Sequence, residues 1–214
     1  MGSSLIYPII GINKTEEDLQ KYTQKSGAGL GDFIYKDTDN DGKITDLDRV
    51  RTDLTSVPQI VFGLSASATW KNFDFSMLLQ GQGLVRCYYA PYSDPLSNNV
   101  NKDAAERAWT LDNPTSDYPR LGTTVSNGGV NRVSFYHRNA AFLRLKNIEL
   151  GYTIPQKVFG SLKIPVKGLR FYIGGFNLLT ISGLTEIDPE TSDGGGSSSY
   201  PQMRIYNAGA KLTF

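Results

Sequence analysis

Strict alternation of apolar and polar residues marks five segments of this chain as β-strands. Gln59–Trp70 places Ile60, Phe62, Leu64, Ala66, Ala68 and Trp70 on one side, with Gly63, Ser65, Ser67 and Thr69 on the other. The two residues Lys71-Asn72 that follow have hairpin length. Phe73–Gly83 sets Phe73, Phe75, Met77 and Leu79 against Asp74, Ser76, Leu78 and Gln80. A third strand is predicted from about Ala141 to Thr153, and a fourth over Gly168–Leu179, where Leu169, Phe171 and Ile173 oppose Arg170, Tyr172 and Gly174. The fifth, Arg204–Phe214, sets Tyr206, Ala208, Ala210, Leu212 and Phe214 against Asn207, Gly209, Lys211 and Thr213. It ends on an aromatic residue.

The charged residues give the alternation its meaning. Asp74, Arg170 and Lys211 all fall on polar sides. A Lys or Arg facing lipid at mid-bilayer costs ~2–4 kcal/mol, so a clean apolar register is what a lipid-facing wall requires. A soluble sandwich shows the same alternation with a second sheet as the cover. The third strand breaks the rule, with Arg144 and Lys146 in one register and Glu149 in the other. A one-residue slip near Asn147 groups Leu143, Leu145, Ile148, Leu150 and Tyr152, and predicts a β-bulge there; the alternative is that the outer part of this strand extends beyond the bilayer, where charge is free.

The connections are unequal. With Phe214 on the periplasmic side, Lys71-Asn72 and 154–167 are periplasmic, and the long polar segments 84–140 and 180–203 are external. Outer-membrane barrels have this asymmetry. The division is therefore 1–58 as an external loop region and 59–214 as barrel strands with those loops. The fold class is all-β, an antiparallel transmembrane barrel segment. Thr15-Glu-Glu-Asp18 predicts a capped helix, and Asn101 a cap for Lys102–Trp109. Ser192–Ser199 is of low complexity.

Composition narrows the function. A net charge of +1 with no basic run argues against a nucleic-acid partner. No apolar run reaches the ~18 residues of a membrane helix, which bears on helical spans only. Cys87 is the single cysteine and His137 the single histidine, so no His/Cys metal cluster can form. Both are read as loop residues, without the orienting spacing of a nucleophile pair. No acid/base or nucleophile set emerges, and the chain is not read as an enzyme. Asp188 and Glu190 read as solvated carboxylates. Met1-Gly-Ser-Ser4 lacks the basic and apolar parts of a signal peptide, so the chain is expected to be a mature form or a piece of something longer.

Asp37–Asp48 follows the twelve-residue calcium loop. Asp37, Asp39 and Asp41 take positions 1, 3 and 5, Gly42 the sharp turn, Lys43 the carbonyl position and Asp48 the last. Three carboxylates on one tight turn repel unless a hard cation neutralises them, so structural calcium is expected. Asp at the last position is shorter than the bidentate Glu of a sensor. Asp32–Tyr35 before it reads as extended, so no paired helices exist to open. Tyr88, Tyr89, Tyr92 and Trp109 lie in an external segment that also holds Tyr118, Phe135 and Tyr136. They are candidates to stack on sugars or peptides; the bland alternative is that they pack the segment on itself.

Longer runs carry a family likeness: Gly31–Ile44, Pro58–Leu64, Arg107–Thr110, Tyr118–Leu121, Phe142–Tyr152, Gly175–Leu179, Tyr200–Gln202 and the terminal strand. In this order the chain resembles the carboxyl-terminal portion of the SusC/RagA family of TonB-dependent outer-membrane transporters of Bacteroidota. The resemblance implies a 22-stranded barrel, a plug, energy supplied through TonB and a SusD-like surface lipoprotein as lid, importing glycans or peptides across the outer membrane. Asn207, Gly209, Leu212 and Phe214 resemble the signal read by the barrel-assembly machinery. The competing reading is a soluble, secreted, calcium-containing carbohydrate-binding β-sandwich, in which protein rather than outer-membrane lipid covers the apolar face.

Overall fold

A computed structural model of the chain describes residues 4–89, 102–121, 133–162, 166–185, 187–190 and 202–214. The strands in chain order are β1 (Leu5–Ile6), β2 (Ile9–Ile12), β3 (Phe33–Tyr35), β4 (Val50–Arg51), β5 (Ile60–Trp70) and β6 (Phe73–Gly83). They continue as β7 (Arg86–Tyr88), β8 (His137–Asn139), β9 (Phe142–Ile154), β10 (Gly168–Ser182) and β11 (Ile205–Thr213). Three short helices are α1 (Glu16–Lys21), α2 (Lys102–Arg107) and α3 (Gln156–Leu162). The described residues fall into two compact units that alternate along the sequence: those within 4–57 and 85–139, with Glu190, make one, and those within 58–84, 140–189 and 202–214 the other.

The second unit is one antiparallel sheet in the order β11-β10-β9-β6-β5. All five predicted strands are present, and β10 runs three residues beyond its expected end, to Ser182. Phe73, Tyr152 and Phe171 face one another across three strands, as do Phe75, Leu150 and Ile173. The Phe73 and Tyr152 rings lie 4.7 Å apart. Ala210 and Ala208 continue these two rows onto β11. The bulge occurs where the sequence requires it. The register of β6 passes from Leu78–Asn147 to Leu79–Leu145, leaving Lys146 as the extra residue. On the other flank it passes from Phe176–Asn147 to Leu179–Leu145, and Asn177 turns left-handed at φ 54°. The slip carries Leu145 and Ile148 to the same side.

The apolar side of this sheet stays open. Trp70, Phe73, Leu150, Phe171, Ile173 and Leu212 are exposed, Phe171 by 48% and Ile173 by 61%. At one end Thr153 N–H donates to Asn72 O (2.8 Å) and Lys167 N–H to Thr213 O (2.8 Å). The hairpin turn, the 155–167 connection and the end of β11 therefore share that end. The connection holds α3, which residue periodicity does not reveal.

The first unit, by contrast, has an interior. Tyr7, Ile12, Phe33, Tyr35, Val133 and Tyr136 form its core. Short two-stranded pairs, β1–β4, β2–β3 and β7–β8, frame it. Tyr7 meets Tyr35 edge-to-face at 5.5 Å. Thr15 caps α1 with the predicted box: Thr15 N–H donates to Asp18 Oδ2 (3.0 Å) and Asp18 N–H to Thr15 Oγ1 (3.3 Å). Asn101 lies outside the described residues.

Candidate functional site

The acidic loop is built by its own backbone. Asn40 (φ 60°) and Gly42 (φ 79°) both turn left-handed, which curls Asp37–Asp41 around a common centre. The incoming segment is strand β3, as expected, and the outgoing one is a single 3-10 turn, Asp46–Asp48, capped by Thr45. Oxygens of Asp37, Asp39 and Asp48 come within 4.8 Å of one another. Asp41 is not part of that group; its Oδ1 accepts the Lys43 N–H (2.8 Å). Asp48 is fully buried and accepts from Thr38 N–H (2.6 Å) and Thr45 N–H (2.7 Å).

The electrostatics of the group are divided. Burial alone would raise the Asp48 carboxyl, but the N–H groups of Thr45, Thr38 and Asp39 outweigh it and hold it below the usual range. Asp39 is pushed up, first by desolvation and then by the charges of Asp41, Asp48 and Asp37, against one opposing N–H bond from Asp41. Asp37 Oδ2 accepts the Gly42 N–H (2.9 Å), while Oδ1 is enclosed with no hydrogen-bond partner. An enclosed carboxylate oxygen without a donor is where a cation fits. An all-oxygen ligand set suits a hard one.

The aromatic candidates fare differently. Trp109 and Tyr89 are buried, so neither offers a ring face to a ligand. Trp109 donates from Nε1 to Pro114 O (3.1 Å). Its ring lies against Gly31 (φ 80°), where a Cβ would approach Trp109 Cε3 to 2.5 Å. Trp109 is a packing residue, and Gly31 is a glycine because of it. Tyr88 is half-buried, edge-on to Tyr136 at 6.2 Å, and burial raises its hydroxyl above the ordinary phenol range. Tyr92 lies outside the described residues, as does the 192–199 segment. Cys87 and His137 are strand residues, not loop residues, on the paired β7 and β8, and Arg86 Nη1 donates to His137 Nδ1 (2.7 Å).

Two constellations on the polar side of the sheet were not foreseen. Arg170 on β10 bonds Asp74 on β6 and Glu149 on β9 (Nη2 to Oε1, 2.7 Å). Their alternating positions place all three on one side. The other is Arg144, which is 2% exposed and donates to Thr180 Oγ1 (2.9 Å) and Asp188 Oδ2 (2.8 Å). Asp188 is therefore fixed in an ion pair and is not the solvated carboxylate that its polar surroundings in the sequence imply. Gln82 Nε2 ties Pro189 O to the same end of the sheet (3.3 Å). The only sequence signal for the pair was Arg144 standing in a strand where charge is costly.

In the terminal strand, Asn207 pairs with Gly174 and Leu212 with Leu169. Gly209 lies under the Tyr172 ring, where a Cβ would come within 2.5 Å of Tyr172 Oη. Leu212 and Phe214 are exposed.

No protein-family model matches the chain. Individual relatives do. TonB-dependent receptor P26 of Formosa agariphila is 30% identical over 96% of this chain and 22% of its own length. TonB-dependent receptor SusC of Bacteroides thetaiotaomicron is 31% identical over 72% of this chain and 15% of its own length. The RagAB peptide importer in its "open-open" state superposes with a TM-score of 0.69 at 25% identity, over 99% of this chain and 22% of that one. This chain belongs to the SusC/RagA-type family of TonB-dependent receptors. It spans about a fifth of the length of the curated relatives first matched, 22% and 20%. The five-stranded sheet is a segment of the all-β barrel of that family, consistent with the alternation. Receptors of this type are outer-membrane proteins, and the relatives are transporters rather than enzymes.

Proposed function

We propose that the chain forms the carboxyl-terminal wall and external segments of an outer-membrane importer of glycans or peptides. The observation that carries this is the one-sided sheet. Its apolar side is exposed from Trp70 through Phe171 to Leu212, while Arg170 bonds both Asp74 and Glu149 on the opposite side. Such a surface is stable against hydrocarbon and unstable against water. The likeness to SusC and to the RagAB importer supports import as the task and a SusD-like lipoprotein as the partner. Energy would come through TonB, and insertion through the barrel-assembly machinery, reading Asn207, Gly209, Leu212 and Phe214.

The Asp37, Asp39 and Asp48 oxygens would hold a calcium ion, with the Lys43 carbonyl as a further ligand. Its charge would offset the desolvation and the neighbouring charges that together raise the Asp39 carboxyl. The role is structural, fixing the loop between β3 and β4.

Fractionation tests the reading. In cells of the source organism the chain should sediment with the outer membrane and leave it only in detergent. Deleting its gene should abolish growth on one class of polymer, peptide or glycan. Recovery as a water-soluble monomer with Phe75, Phe171 and Leu212 protected from labelling would favour the sandwich and end the importer proposal.

A further inference from the structure

A cleft of about 380 Å3 opens in the first unit, lined by Ile9, Ile10 and Ile12 of β2 and by Phe135, His137 and Arg138. We infer that it binds the carboxyl-terminal end of a short peptide, with Arg138 taking the terminal carboxylate and the isoleucines of β2 taking the last apolar side chain. The inference rests on the import reading and narrows it to one ligand class.

Arg138 is the deciding residue. Among the described residues it makes no ion pair, and its Nε is enclosed without a hydrogen-bond partner. The guanidinium lies over the Phe135 ring at 4.8 Å, which holds the fork in one plane. A planar fork of fixed orientation matches a carboxylate better than it matches a hydroxyl. His137 beside it is held by Arg86. Guanidinium nitrogens cannot accept, so the Arg86 bond makes Nδ1 the acceptor and leaves the ring hydrogen on Nε2. Asp117 also lines the cleft, but Lys14 already neutralises it (2.6 Å).

The walls favour peptide over sugar. Pyranose recognition needs an open aromatic face. Phe135 has Arg138 over its ring and meets Tyr118 and Tyr136 edge-on. The opposite wall is aliphatic. Ile10 sits at the register shift between Ile9 and Gly11 and is 55% exposed, so an apolar side chain can cover it. Ser134 Oγ already accepts the Ile9 N–H (3.0 Å), which leaves the side chains of β2, not that amide, to make the contact.

The test titrates the full chain, in detergent micelles, with the tripeptide Ala-Ala-Leu as free acid, with its carboxyl-terminal amide and with digalacturonic acid. The free acid should bind at least about tenfold more tightly than the amide, the scale of one charge-assisted bidentate contact. Arg138→Gln should erase that preference and leave amide binding unchanged, while Arg138→Lys keeps part of it. Ile10→Asp should weaken acid and amide alike, which serves if Arg138→Gln does not fold. Equal binding of acid and amide, a preference that survives Arg138→Gln, or no peptide binding at all overturns the inference. Arg138-dependent binding of digalacturonic acid alone overturns it in favour of an acidic sugar. Failure of the import reading shows separately, in fractionation and growth, and leaves this titration unchanged.

Discussion

Arg170 reaches across Gly151 to Asp74, its Nε donating to Asp74 Oδ1 at 3.0 Å, so that β10 is bonded to β6 over the intervening β9. A methyl group at Gly151 would overlap the guanidinium. Gly151→Ala should therefore displace Arg170 and cost about 1–3 kcal/mol, the usual penalty of overpacking. Urea unfolding in detergent should show the loss. Unchanged stability would mean that the bridge contributes nothing.

Gly209 and Tyr172 form the analogous pair one strand further on. Gly209→Ala should lower the melting temperature through a clash with the Tyr172 ring. Tyr172→Ala in the same chain should recover part of that loss, a non-additivity expected of touching residues. A penalty for Gly209→Ala that is the same with and without Tyr172 would assign the glycine to recognition by the assembly machinery instead.

Arg144→Ala takes its ion-pair partner from a largely enclosed Asp188. Breaking a buried pair costs about 3–5 kcal/mol, whereas the double variant Arg144→Ala/Asp188→Ala should lose less than the single one. The comparison of melting curves decides it. If the double variant loses as much as or more than the single one, the buried charge is not the source of the cost.

Calcium and Asp39 should act with opposite signs. In chelator, Asp39→Asn should raise the melting temperature, because it removes a carboxylate disfavoured by desolvation and then by the charges of its neighbours. With calcium present it should lower it, and Asp41→Asn should matter less, since Asp41 lies outside the group of facing oxygens. Melting curves indifferent to calcium would remove the ion from the account.

The pH dependence follows from Asp48. Its folded-state carboxyl lies below the unfolded value of about 3.9, so its contribution is complete above roughly pH 4 and is lost as the pH falls through the lower folded value. Asp48→Asn should flatten that acid limb and reduce stability at pH 7. Parallel acid titrations of the two proteins would refute the assignment.

The sheet was legible because its strands are long. Nine to fifteen residues of period two fix the side each residue faces, and Arg144, Lys146 and Glu149 betray the bulge. The first unit was not legible for the opposite reason. β1, β3, β7 and β8 are two or three residues long, too short for any period. Their register comes from distant partners, such as Ile9 with Ser134. The same limit explains the aromatic residues. Tyr89 and Trp109 look exposed in a polar stretch, yet a core assembled from remote segments encloses them. The acidic loop sits between these cases: local backbone chemistry fixed its turn, but only the fold shows Asp48 closing the group and Asp41 turned aside.

Among the described residues β5 bonds a neighbour along one flank only, and from Ile60 to Trp70 it carries no charged side chain. Margins of this kind normally bear a lysine, a proline or a kink that discourages strangers. This one is unguarded, so it is suited to a permanent seam with the next strand of a cylinder. Left bare, it is where two copies would first stick.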